Sequence, residues 1–151
     1  MSTPVISTED LTKSYGSGHT QVDALKKVTI TINRGEYIAI IGPSGSGKST
    51  FMNLLGCLDT PTKGIIRIED TDVSKLSEGQ LARLRREKIG FIFQKYNLLP
   101  TLDAIGNVEL AMSFARLDRK TRRKRSQDLL RMVQLDHRMD HKPSEMSGGE
   151  Q

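Results

Sequence analysis

The sequence holds a single cysteine, Cys57, among its 151 residues. No internal disulfide can form, which excludes a disulfide-stapled scaffold and fits a reducing compartment. Long apolar runs are missing too. The most apolar stretch, Ile38-Ala39-Ile40-Ile41, falls far short of the ~20 residues that cross a membrane. The N-terminal MSTPVISTEDL has neither a basic n-region nor an apolar h-region, so no secretory signal is read there. These absences predict a cytoplasmic protein.

What is present is ordinary in amount. Hydrophobic residues at 36% and charged residues at 27% exclude wholesale disorder and a collagen-like repeat. The length predicts one domain. A net charge of +5 favours anionic partners (nucleotide, nucleic acid or membrane surface) without choosing among them.

The first part of the chain reads as β. Val5 to Lys13 predicts a strand, Gly16-Ser17-Gly18 a turn, and the alternating Val28-Thr29-Ile30-Thr31-Ile32 a half-buried strand. Tyr37 to Ile41 is continuously apolar and predicts a strand buried on both faces of a parallel sheet. Ser49 to Leu58 reads as a helix, Gly64 to Glu69 as a strand, and Ile89 to Phe93 as a short apolar strand. Ser77-Glu78-Gly79-Gln80 has capping-box spacing ahead of a helix. Two further helices are predicted over 103–117 and 119–135, the second with Leu130 and Val133 on one apolar face.

Gly42-Pro43-Ser44-Gly45-Ser46-Gly47-Lys48-Ser49 satisfies G-x-x-x-x-G-K-[ST], followed by Thr50. The glycines let successive N–H groups turn inward around a phosphate. The following helix adds its N-terminal amides and dipole. Lys48 would place an ammonium on the β- and γ-phosphates, and the Ser49 hydroxyl would coordinate Mg²⁺. The plain alternative is a glycine-rich strand-to-helix turn, but the predicted flanking strand and helix supply the context a phosphate loop needs. The loop alone leaves kinase, GTPase, helicase and transporter motor open.

Other motifs narrow the choice. Leu11-Thr12-Lys13-Ser14-Tyr15, Gly56-Cys57-Leu58-Asp59, Phe91-Ile92-Phe93-Gln94 and Met146-Ser147-Gly148-Gly149-Glu150-Gln151 follow in order around the loop. With them the chain resembles the ATP-binding subunit of ABC transporters. Gly56 to Asp59 and Arg85-Arg86-Glu87-Lys88-Ile89-Gly90 resemble the lipoprotein-releasing and macrolide-exporting branch. The resemblance implies an α/β P-loop nucleotide-binding fold: an antiparallel β subdomain, a phosphate-loop core and a helical arm at about residues 72–145. It implies that Tyr15 stacks on adenine and that Gln94 reaches Mg²⁺ or the attacking water. It implies that Ser147, Gly148, Gly149 and Glu150 serve the nucleotide of a second, head-to-tail copy. ATP and Mg²⁺ are the implied ligands and a transmembrane permease the implied partner, with the subunit peripheral at the inner membrane face. Plain readings stand beside these: a strand-end tyrosine, a surface glutamine, and a capping box at Ser147-x-x-Glu150. Met146 and Glu150 stand where Leu and Gln are commoner in the family.

In the family a Walker B strand, a catalytic Glu, a D-loop and a switch His follow the signature. None is found in these 151 residues. Ile65-Ile66-Arg67-Ile68-Glu69-Asp70 imitates Walker B, but Arg67 interrupts it and it precedes the arm. The resemblance therefore implies the N-terminal portion of the domain, incomplete at its C-terminus, with no catalytic residue, apolar sheet edges uncovered, and hydrolysis weak or absent. The alternative is a non-catalytic nucleotide-binding or regulatory module.

Three signals are set aside. Arg116, Arg119, Lys120, Arg122, Arg123, Lys124 and Arg125 form a basic run, read as a solvated helix face because no aromatic residues interleave for base stacking, so no nucleic acid is expected. His137 and His141 lack a third ligand. Cys57 reads as a small packed residue.

Overall fold

A computed structural model of the chain describes residues 4–114 and 117–151. Two compact units divide it, Met1–Phe91 and Ile92–Gln151.

The first unit is built on a four-stranded antiparallel sheet of order β2-β1-β3-β4. Its strands are β1 (Pro4–Tyr15), β2 (Val22–Asn33), β3 (Lys63–Ile68) and β4 (Thr71–Asp72). Alternating β-branched residues pair across β1 and β2, with Ile6 opposite Ile32, Thr8 opposite Ile30 and Leu11 opposite Val28. Register breaks in β1 after Thr8 on one side and after Glu9 on the other. Gly64 lies there at φ +86°, and a Cβ on it would sit 2.4 Å from the Asp10 carbonyl oxygen. Only glycine fits that approach.

Helix α1 (Lys48–Leu55) buries Phe51, Leu54 and Leu55, the i, i+3, i+4 stripe of an amphipathic helix. Helix α2 (Glu78–Lys88) starts in the capping box expected of Ser77: the Ser77 hydroxyl accepts from the Gln80 amide, and Gln80 reaches back to the Ser77 N–H at 2.9 Å. Together with the sheet these helices enclose one core, in which Leu11, Leu54 and Ile66 have no exposed surface. Cys57 packs in that core, as expected, and burial pushes its thiol up. Thr8 is buried but satisfied: its hydroxyl donates to the Val28 carbonyl at 3.0 Å and accepts from the Ile30 amide at 3.1 Å.

The second unit holds α3 (Ala104–Ser113) and α4 (Arg119–Met132), capped by Asp103 and Asp118. Among the described residues Ala104, Ile105, Ser126, Leu130 and Pro143 are buried in it. The α3 amides of Ala104 and Ile105 donate to the carbonyls of His141 and Met139, tying the helix start to the segment that follows α4.

Several expectations are corrected. Tyr37 to Ile41 forms no strand, and Tyr37 and Ile41 are 96% and 91% exposed. A strand buried on both faces needs ladders beside it, and no described strand lies along this run. Ile89 to Phe93 is likewise not a strand, with Ile92 exposed. Val133 is 62% exposed because α4 ends at Met132, before Val133 can join the face of Leu130. Helix α3 ends at Ser113; Ala115 and Arg116, included in the predicted helix and the basic run, lie outside the described residues.

Candidate nucleotide site

The phosphate-loop sequence forms the turn that enters α1. Gly47 is its N-cap, at φ +87°, and a Cβ there would lie 2.3 Å from the Ala24 carbonyl oxygen of β2. Any side chain would push the loop off the sheet. The Ser46 amide donates to the Pro43 carbonyl at 3.3 Å and closes the turn. The first helical bond runs from the Phe51 amide to the Gly47 carbonyl, so the N–H groups of Lys48, Ser49 and Thr50 have no acceptor inside the helix. Those three residues are among the ones lining a cavity of about 250 Å³ bounded by Ala24 and residues 44–50. Lys48 folds back over the loop and donates to the carbonyls of Gly42 at 2.9 Å and Pro43 at 2.7 Å. Lys48 is the one charged residue among those lining that cavity. Amide donors, a helix dipole and a lysine make a site for an anion.

Tyr15 stands at the same end of the sheet. It closes β1 opposite Val22, two residues along β2 from Ala24, whose carbonyl abuts Gly47. Two residues of strand span roughly 7 Å. Tyr15 is 44% exposed, and its hydroxyl donates to Asp59 Oδ2 at 2.8 Å. Lys13 donates to Asp59 Oδ1 at 2.6 Å and to the Thr60 carbonyl at 2.8 Å, and its ammonium lies 4.9 Å from the Tyr15 ring centroid. Burial raises the Asp59 carboxyl, but the bonds from Lys13, Tyr15 and the Thr60 amide outweigh it and hold the group below its ordinary value.

The remaining predicted residues lie in the second unit. Gln94 sits exposed in a bend. Ser147, Gly148 and Gly149 are exposed in a turn closed by the Glu150 and Gln151 amides, which donate to the Ser147 carbonyl at 3.0 and 3.1 Å. Glu150 Oε2 accepts from the Ser147 amide at 2.7 Å, so the capping-box contact expected at this spacing is made from the glutamate side. Arg138 Nε donates to Glu150 Oε1 at 3.1 Å. The bonds from Ser147, and then Arg138, lower the Glu150 carboxyl to about 2. Tyr96 packs against Gly148, where a Cβ would meet its hydroxyl oxygen at 3.0 Å.

Thus Tyr15 and the loop 42–50 share the first unit, while Gln94 and 147–150 share the second. Lys13, Asp59 and Arg138 receive no role from sequence alone. Lys13 and Asp59 stand inside motifs that carry the resemblance, but 46 residues separate them and only the fold joins them. On α4 the basic side chains line an open surface, and Arg123 pairs with Glu109 at 3.3 Å. Among the described residues no cluster of three or more His, Cys, Asp or Glu could hold a metal ion, and no helix is long and apolar enough to cross a membrane.

Residues 25–151 match the family described as ABC transporter. An "Uncharacterized ABC transporter ATP-binding protein" of Thermotoga maritima is 50% identical over 142 residues, covering 94% of this chain and 61% of that protein. The Macrolide export ATP-binding/permease protein MacB of Hyphomonas neptunium is 51% identical over the whole chain, which spans 23% of its length. Among solved structures, a dimeric post-hydrolysis ATP-binding cassette bound to ADP and Pi superposes with a TM-score of 0.87 at 42% identity, over 96% of this chain and 64% of that one. The chain therefore spans less than two thirds of each of these relatives. The fold is that of an ABC ATP-binding cassette, mixed α/β with an antiparallel sheet.

Proposed function

The chain belongs to the ABC transporter ATP-binding family, and from that premise we propose that it binds Mg-ATP in the motor of an export system of the macrolide- or lipoprotein-releasing kind. The observation that carries the reading is the cavity at the start of α1, lined by residues 44–50 and holding Lys48 as its one charged group. The triphosphate lies against the free amides of α1 and displaces the Lys48 ammonium from the Gly42 and Pro43 carbonyls onto phosphate oxygens. Tyr15 offers its ring to adenine.

The Ser49 hydroxyl, exposed on the cavity wall, is a hard oxygen donor suited to Mg²⁺, and the Gln94 amide oxygen is of the same kind. The ion would neutralise charge on the β- and γ-phosphates. Ser147, Gly148 and Gly149 present a turn whose amides serve the nucleotide of a second copy, with Glu150 fixing that turn. The partners in this reading are that copy and a transmembrane permease, as the ATP-binding/permease names of the relatives support, and the domain sits at the inner membrane face. Nucleic acid has no part in it. None of these 151 residues takes the role of catalytic base, so phosphate release by them alone stays near background.

Equilibrium titration with Mg-ATP tests the reading. Lys48→Ala removes a charged hydrogen-bond donor worth about 1.5–3 kcal/mol, so affinity falls roughly 10- to 150-fold. Wild-type affinity in Lys48→Ala would contradict it.

A further inference from the structure

A tyrosine ring that serves as a platform must be held in two ways. Its long axis must be fixed in direction, and its plane must be fixed about that axis so that one face meets the ligand. A hydrogen bond at the phenol oxygen does only the first, because the ring still rotates about the line through that oxygen. Tyr15 has both constraints. Asp59 Oδ2 anchors the hydroxyl at 2.8 Å. The Lys13 ammonium, 4.9 Å from the centroid, rests on one face. Lys13 and Tyr15 are i and i+2 on β1 and so project on the same side of the strand. Lys13 is itself immobilised by Asp59 Oδ1 and the Thr60 carbonyl, with 11% of its side chain exposed. One carboxylate thereby holds both the ring and the cation that sets its plane. Lys13 takes one face of the ring, and the residue as a whole remains 44% exposed.

Asp59 is also well placed to link the two ends of the site. It follows the C-terminus of α1, the helix whose N-terminus forms the phosphate loop. Eight residues of helix make a strut of roughly 12 Å between the loop and the Gly56–Asp59 turn. Phe51, Leu54 and Leu55 pack it into the core.

We propose that Asp59 and Lys13 are positioning residues for the nucleobase: they lock Tyr15 as a one-sided platform, so that base-dependent binding rests on a carboxylate 44 residues from the ring it holds. The proposal rests on the reading of this site as an ATP site. It assigns neither residue a contact with phosphate.

Titration of ATP and of inorganic tripolyphosphate into the same proteins tests it. Tripolyphosphate engages only the loop, so it reports whether the phosphate site is intact. Loss of base stacking corresponds to roughly 5- to 150-fold in affinity. Tyr15→Ala and Asp59→Ala should each weaken ATP binding within that range and leave tripolyphosphate binding within about twofold. The double variant should add little, since both changes remove one contact. Lys13→Met should weaken ATP in the same selective way. Asp59→Asn, which keeps an acceptor for the hydroxyl and the same volume, should restore part of the loss. Equal weakening of both ligands by Asp59→Ala and Lys13→Met, or unchanged ATP affinity in both, overturns the positioning role alone. Wild-type tripolyphosphate binding no tighter than that of Lys48→Ala overturns the underlying ATP-site reading.

Discussion

The two units hold their recognition elements by different means. In the first, the contacts that hold Tyr15 and seat the loop join residues far apart in sequence, Tyr15 to Asp59, Lys13 to Asp59 and Gly47 against Ala24, while the loop itself closes locally from Lys48 to Gly42 and Pro43. In the second, the contacts that close each turn are local, although backbone bonds from Ala104 and Ile105 to His141 and Met139 span the unit. Ser147 bonds Glu150, Lys142 bonds Glu145, and Asn107 bonds Leu99, Leu102 and Asp103. A site joined across long loops exists only when the sheet and core exist. A turn closed over three residues carries its geometry with it.

The largest effects should come from the core that joins the first unit. Ile66→Ala removes a side chain with no exposed surface from β3. It should lower unfolding stability by about 2–5 kcal/mol in denaturant titration, and ATP affinity should fall with the folded fraction. Asn107→Ala in the second unit strips the bonds to the Leu99 amide and to three carbonyls, for a smaller loss of about 1–3 kcal/mol, with ATP affinity unchanged. Equal losses of ATP binding in the two variants would break the comparison.

The smallest effect is a titration. The Glu150 carboxyl is depressed from 4.5 to about 2 in the folded chain. A depressed carboxylate contributes stability above its unfolded value and loses it as pH falls through the folded one. The contribution of Glu150 is therefore complete above pH ~4.5 and disappears toward pH ~2. Carboxyl NMR should show a Glu150 midpoint near 2, and Arg138→Gln should move it upward. A midpoint at 4.5 would mean that the turn is not closed as described.

How much of this was legible in the sequence follows the same division. The Ser77 capping box is local chemistry and forms as expected, the phosphate-loop sequence runs into α1, and the helices expected from 103 and 119 start at Ala104 and Arg119. Strand β2 was legible from its β-branched alternation, and β1 and β3 fall where the strands over Val5–Lys13 and Gly64–Glu69 were expected. Tyr37 to Ile41 and Ile89 to Phe93 were not, because an apolar run is a strand only beside a partner, and no described strand lies along either run. Val133 was misplaced because an apolar face is useful only as long as its helix continues, and α4 stops one residue earlier. The Lys13–Asp59–Tyr15 cluster was invisible because its members lie on β1 and beyond α1. No pattern within one segment reports such a contact.

The central claim is that the cavity at the start of α1 is the nucleotide site. Amide hydrogen exchange with and without Mg-ATP tests it most directly. The account predicts slowed exchange over residues 44–50, the segment that lines that cavity. Unchanged exchange there, with ATP bound and protection appearing elsewhere, would contradict it.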